Sequence, residues 1–223
     1  MEKNKSVIKF LKQSIIPLIL CCAAFSCKKM FDKLPDDVLD KTQVYRDVND
    51  ADAAIIGIYG QLMNISQQYI VLNEVRGDLM DVTPNADKYL NELNQETSSQ
   101  DNPYADPRPF YTIIMNCNDA LYNFKLMVQD NRMTQADYDI RYSAVGAVRS
   151  WLYLQLGIQY GTIPYVTNPI ADVNALKNES NYPRIGFSAL IDSLIAFTAA
   201  LPAQTPFPAG TSLLTTIDGY ATD

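Results

Sequence analysis

The stretch "AVRSWLYLQLGIQYGTIPYVTNP", Ala147–Pro169, decides the fold. Leu152 and Leu156 fall on one helical face, with Val145, Tyr142 and Tyr138 continuing it upstream at helical spacing. Gly161 and Pro164 stop the run, because one tolerates the turn at a helix end and the other cannot extend a helix. Upstream, Thr134-Gln135-Ala136-Asp137 has the form of a capping box, so the spacing predicts one long helix from there to about Tyr160. Within it Tyr153, Leu156, Gly157 and Tyr160 fit the W-x2-L-G-x2-Y spacing of a tetratricopeptide helix, with Tyr in place of Trp. No clean self-similarity at the roughly 34-residue period accompanies that match. Arg149 can reach carbonyls or a carboxylate while Trp151 and Tyr153 pack against a neighbouring helix.

Working outward, the same periodicity recurs on both sides. Asp47 or Asn49 can cap a helix carrying Ala51, Ile55, Ile58 and Leu62 on one face. A second pattern places Leu72, Val75 and Leu79 on one stripe and runs until Thr83-Pro84. Residues Thr83–Pro109 read as a long loop rich in Asn, Asp, Ser and Pro, with a short helix near Tyr89–Leu93. Loops of that length inside a compact domain are either functional or disordered, and Tyr89 and Tyr104 count against disorder. From Phe110, residues Ile113, Cys117, Leu121 and Phe124 share a face with Ile114 beside it, so Cys117 reads as a small core residue. A last helix carries Phe187, Leu190, Leu194, Phe197 and Leu201 and ends at Pro202; the tail beyond has no helical period. These patterns predict an all-α chain of helical hairpins, with no convincing sheet.

Composition narrows the function. Among 223 residues there is no histidine, which removes His-dependent nucleophilic and acid–base catalysis and His-containing zinc sites. A net charge of −7 argues against a nucleic-acid partner. No cofactor is implied. Glu74, Asp78 and Asp81 gather near one helix end, and a carboxylate pair suffices for glycoside hydrolysis, but acidic residues so spaced are more often a solvated face. The expectation is a protein that binds and is not an enzyme.

The N-terminus gives the address. Lys3, Lys5, Lys9 and Lys12 precede an apolar run, Ile15–Phe25, too short to cross a bilayer as a helix, followed by small residues. Ala24-Phe25-Ser26-Cys27 resembles a lipobox, where a signal peptidase cuts before an acylated cysteine. Ordinary secretory cleavage after Ser26 and a buried helix are the alternatives; the basic flank and the abrupt polar switch favour lipidation of Cys27. This divides the chain into a lipoprotein signal peptide (1–26), a lipidated tether (27–46) and a helical domain (47–223). With Cys21 and Cys22 removed, Cys117 and Cys27 leave no intramolecular disulfide framework.

An ordered series of motifs now converges. Arg149, Ser150, Trp151, Tyr153, Leu156, Tyr160, Gly161, Ile163, Pro164 and Tyr165 resemble the signature of the SusD/RagB family of outer-membrane nutrient-binding lipoproteins. Cys27 followed by "LPDD", then "TQVYRDVNDADAAIIGIYGQL" and "NCNDALYNF", resemble three further pieces of that family in the same order. The resemblance implies an α-superhelix of tetratricopeptide-like hairpins with long irregular loops. It implies a palmitate-type lipid anchor in the outer membrane with exposure at the cell surface, a SusC-like TonB-dependent transporter as partner, and capture of an oligosaccharide for uptake without chemistry. Members are usually about twice as long, so the chain corresponds to their N-terminal portion. The alternative is a helical-repeat lipoprotein scaffold that binds peptide or protein without glycan specificity.

Sugars are held by aromatic platforms and by planar polar groups that hydrogen-bond hydroxyls. The family draws part of its ligand surface from the loop after the first helical pair, which here offers Arg76, Asp81, Tyr89 and Tyr104 as candidates.

Overall fold

The computed structural model describes residues 44–170 and 182–202. Its elements, in order, are α1 (Val48–Asn64), α2 (Ser66–Glu74), α3 (Lys88–Asn94), a 3-10 turn (Pro103–Ala105), α4 (Arg108–Gln129), α5 (Gln135–Tyr160), β1 (Ile163–Pro164), β2 (Arg184–Ile185) and α6 (Phe187–Ala199). The predominantly helical, hairpin-built architecture is the one that the sequence predicts.

The long helix begins and ends as its residues dictate. The Thr134 hydroxyl accepts from the Asp137 amide at the N-terminus of α5, and Asp137 sits in the positive end of the helix dipole. At the other end Gly161 takes φ +70°, a conformation that costs an L side chain strain. The turn Asp130–Thr134 returns α5 along α4, forming the hairpin at the centre of the molecule. Phe110, Ile113, Cys117, Leu121 and Phe124 from α4 and Val145, Leu152, Tyr153 and Leu156 from α5 are all buried between them. α1 packs across both through Ala51 and Ile58, while Ile55 and Leu62 lie half-buried at its edge.

α6 seats on α5 at two glycines. A Cβ on Gly157 would stand 2.6 Å from Leu190, and one on Gly146 would stand 2.7 Å from Leu201, so both positions allow close approach. Leu190 and Leu194 are buried as expected; Phe187 at the start of α6 is 43% exposed, covering Gly157 with one ring edge only.

Three expectations need correction. The stripe Leu72–Val75–Leu79 breaks before its last member: α2 stops at Glu74, Asp78 enters the left-handed region at φ +57°, and Leu79 is 77% exposed. The Glu74 carbonyl accepts from both the Leu79 and Met80 amides, closing the helix there instead of at Thr83-Pro84. Second, a small antiparallel ribbon does form, with Ile163 opposite Ile185 and Pro164 opposite Arg184. Two-residue strands are too short to show an alternating pattern in the sequence. Third, the chain is already docked before Arg46: Tyr45 is buried, its ring edge-on to Phe124 and its hydroxyl donating to Asp119. The signal segment, Cys27 and the C-terminal tail lie outside the described residues.

The long loop is ordered by polar contacts. Asp87 caps α3 by accepting from the Leu90 amide. Asn102, buried, donates to the Tyr89 carbonyl and to Glu92, while its own side-chain oxygen accepts from the Tyr104 amide. Ser99 donates to Glu92 through both its amide and its hydroxyl, which holds the Glu92 carboxyl below the usual range. From α2, Gln68 donates to the Tyr104 and Asp106 carbonyls and fastens the 3-10 turn. The loop thereby covers a second, smaller apolar cluster, Leu72, Val75 and Leu93.

Candidate functional site

Among the described residues, two depressions adjoin the C-terminal half of α5, and their chemistry differs. The first, of about 400 Å³, opens between α2, the loop after α3 and the last turn of α5. Leu72 and Leu93 floor it, the Tyr160 ring forms a wall, and Arg76, Gln159, Glu96 and Ser98 line the rim.

The polar wall is built by an amide ladder between α2 and α5. Arg76 donates to the Gln159 side-chain oxygen, the Gln159 amide donates to Asn73, and Asn73 donates to Gln155 at 3.0 Å and to the Tyr69 carbonyl at 2.7 Å. Gln155 and Gln159 are one helical turn apart on α5, so both present to the same neighbour. Tyr160 donates to the Ala105 carbonyl at 2.9 Å, which fixes its ring beside the ladder; burial raises its phenol to about 12. An aromatic face next to a guanidinium and a carboxamide is an arrangement that can hold a polyhydroxylated ring.

Of the four residues predicted from the sequence, Arg76 alone lines this cleft. Asp81 accepts from the Val82 amide at 2.8 Å and serves the turn after α2. Tyr89 lies under the Lys88 ammonium, its hydroxyl 3.4 Å from Asp101, on the outer side of the loop. Tyr104 is half-buried against the Leu72–Val75–Leu93 cluster, whose Leu72 and Leu93 also floor the cleft. The four do not converge. Gln159 and Tyr160, which do face the cleft, sit in a helix whose sequence reads as core; two glutamines a turn apart on that mostly apolar helix are the signal the sequence offers for them.

The second depression, of about 630 Å³, lies between α4, α5 and the β1–β2 ribbon. Its walls are mainly apolar, and its backing is a side-chain clamp. Tyr111 donates to the Pro164 carbonyl at 3.0 Å, and Asn118 donates to the Val166 carbonyl at 2.8 Å. The Tyr153 hydroxyl donates to that same carbonyl and accepts from the Val166 amide at 2.9 Å. Behind them Arg149, only 5% exposed, donates to Asn118 at 2.8 Å and to the Thr167 carbonyl at 3.3 Å, with its guanidinium 4.3 Å from the Phe197 ring centre. Arg149 thus reaches carbonyls as its sequence position suggested, and Tyr153 packs in the core; Trp151 is half-buried, edge-on to Tyr69. Burial pushes the Tyr111 phenol up to about 12, while the nearby Arg184 charge opposes that shift.

Cys117 is fully buried between α4 and α5, and burial pushes its thiol up to about 12, so it is not a nucleophile. Among the described residues no group of three or more Cys, Asp or Glu side chains is placed to hold a metal ion, and no helix is long and apolar enough to cross a membrane.

Among solved structures, the fold is similar to a SusD-like protein from Bacteroides fragilis NCTC 9343, at a TM-score of 0.57 and 17% sequence identity. The match covers 78% of this chain and 33% of that one, so the likeness spans about a third of that protein's length. At this identity the likeness shows a shared fold. No family model and no curated protein matches the chain.

Proposed function

We propose that the chain is a nutrient-binding lipoprotein of SusD type, which captures an oligosaccharide at the cell surface and passes it to a SusC-like TonB-dependent transporter in the outer membrane. The observation that carries this reading is the fold: a helical scaffold similar to a SusD-like protein over most of this chain. The signature residues from Arg149 to Tyr165 support it, since they build the α5 C-terminus and the clamp behind the ribbon. On this reading Cys27 carries the lipid, and binding uses no catalytic step.

The polar cleft is the part of this chain suited to contribute to sugar capture. Tyr160 supplies a ring, Arg76, held in place by Gln159, supplies its remaining planar donors, and Glu96 and Ser98 supply further hydrogen-bonding groups at the rim. The contact set is small, so binding by this portion is expected to be weak and to involve few sugar units.

A panel of starch, xylan and mucin-type oligosaccharides titrated calorimetrically into the purified chain tests the binding. Saturable heat from at least one glycan, weakened tenfold or more by Arg76→Ala or Gln159→Ala, supports the reading. Silence across the panel together with saturable binding to an extended peptide would favour the scaffold alternative. The address is tested separately: in the native bacterium, metabolic palmitate label should enter the wild-type chain and not Cys27→Ala. Label in neither would remove the anchor from the proposal.

A further inference from the structure

We infer that the cavity beside α4 is a separate site for a small apolar carboxylate, with Arg184 as the group that selects its charge. The volume of about 630 Å³ lies in the range that small-molecule sites occupy, roughly 300–1,000 Å³. Tyr111, Ile114 and Met115 of α4 form one wall, Tyr153 the floor, and the ribbon with Pro164 and Arg184 the other wall.

What the cavity offers follows from which of its polar groups are already engaged. The Tyr111 hydroxyl is committed to Pro164, the Tyr153 hydroxyl to both backbone groups of Val166, and the Asn118 carboxamide to Val166 and Arg149. These groups keep little for a sugar beyond the second amide hydrogen of Asn118 and the remaining lone pair of the Tyr111 hydroxyl. Apart from Arg184 and the Tyr182 hydroxyl, the walls therefore present mainly ring faces and C–H groups, which suit an apolar body. This sets the cavity apart from the cleft at Arg76, whose rim is polar.

Arg184 completes the chemistry. The β1–β2 pairing places it opposite Pro164, at the lip of the cavity and on the Tyr111 side, where its charge bears on the phenol. It makes no salt bridge with any described residue, whereas Arg46, Arg108, Arg132 and Arg141 each pair with an aspartate. A mainly apolar, aromatic socket beside a guanidinium that makes no salt bridge with the described residues favours a ligand with an apolar ring or short chain and one carboxylate, because the planar fork matches a carboxylate in two parallel hydrogen bonds.

The test uses the full chain with two probes of equal shape, 2-naphthoate and the uncharged 2-naphthylmethanol, titrated by calorimetry. Naphthoate should bind at least tenfold more tightly, and Arg184→Gln, a change at an exposed position, should bring the two to within a factor of about two. Met115→Trp, which fills the cavity from a partly exposed site, should weaken both probes while the circular dichroism stays helical. Equal affinity of the two probes for the wild-type chain, no binding of either, or naphthoate binding indifferent to Arg184→Gln would overturn the assignment. Arg76→Ala should leave naphthoate binding unchanged, so failure here and failure of the glycan reading are distinguishable; competition between a bound glycan and naphthoate would show that the sites are not separate.

Discussion

Replacing Gly157 by alanine tests how closely α6 seats on α5. The added methyl would stand 2.6 Å from Leu190 Cδ2 and 3.0 Å from Phe187 Cδ2, both inside normal contact. In an exposed helix interior the same substitution stabilises by about 0.5–1 kcal/mol, because glycine loses more backbone entropy on folding. Here overpacking opposes that gain, at about 1–3 kcal/mol. Leu190 is fully buried and has little room to rotate, which keeps the steric cost; Phe187 is partly exposed and can swing aside, which lowers it. The expected net effect is a destabilisation of about 1 kcal/mol. Gly60→Ala in α1 is the matched control, since no heavy atom lies within 4 Å of its added Cβ, and it should stabilise by about 0.5–1 kcal/mol. In urea unfolding the two variants should move the midpoint in opposite directions, with unchanged slopes, by roughly half a molar for a slope of about 2 kcal/mol/M. If Gly157→Ala raised the midpoint as much as Gly60→Ala, the close seating of α6 would be refuted.

Three further perturbations follow from burial and hydrogen bonding. Tyr153→Phe removes the hydroxyl that accepts from the Val166 amide and should destabilise by about 1–2 kcal/mol in urea unfolding; a neutral result would mean that water takes the hydroxyl's place. A brief iodoacetamide pulse at pH 8, followed by peptide mapping, should leave Cys117 unmodified in the native chain and alkylate it in urea, since its thiol is buried and raised to about 12. Burial raises Tyr111 and Tyr160 to about 12 and Tyr45 and Tyr153 in the same direction, against about 10 for an unfolded phenol. Folded phenols therefore keep protons that the unfolded chain has released, so stability should be full below about pH 10 and fall between pH 10 and 12. Urea midpoints measured with tyrosinate absorbance across that range check it, and a flat profile would contradict the assigned burial.

The long helix and its core face were legible because each boundary had a local cause: Thr134 caps, Gly161 turns, and Leu152 and Leu156 repeat at helical spacing. Cys117 was legible for the same reason, as one member of an apolar face. The end of α2 was not, since Leu79 continues the stripe correctly and only the turn at Asp78 takes it out of the core. The polar cleft was half legible. Arg76 stands out as a planar donor just after the first helical pair, but its partner Gln159 lies 83 residues away, and the pairing exists only once α2 packs beside α5. The clamp has the same character: Arg149 announced a reach for carbonyls, while Asn118, 31 residues earlier, gave no sign that it would receive it. Where a contact depends on two helices meeting, a single helix cannot report it.

The segment leaving α5 is fastened almost entirely by side chains. Tyr111, Asn118, Tyr153 and Arg149 hold the carbonyls of Pro164, Val166 and Thr167, and Tyr153 also receives the Val166 amide. Its anchors therefore belong to α4 and α5, with a single short ribbon beyond them. The deuterium-exchange rate of the Val166 amide should follow the opening of the central hairpin, although that residue lies outside any helix or strand.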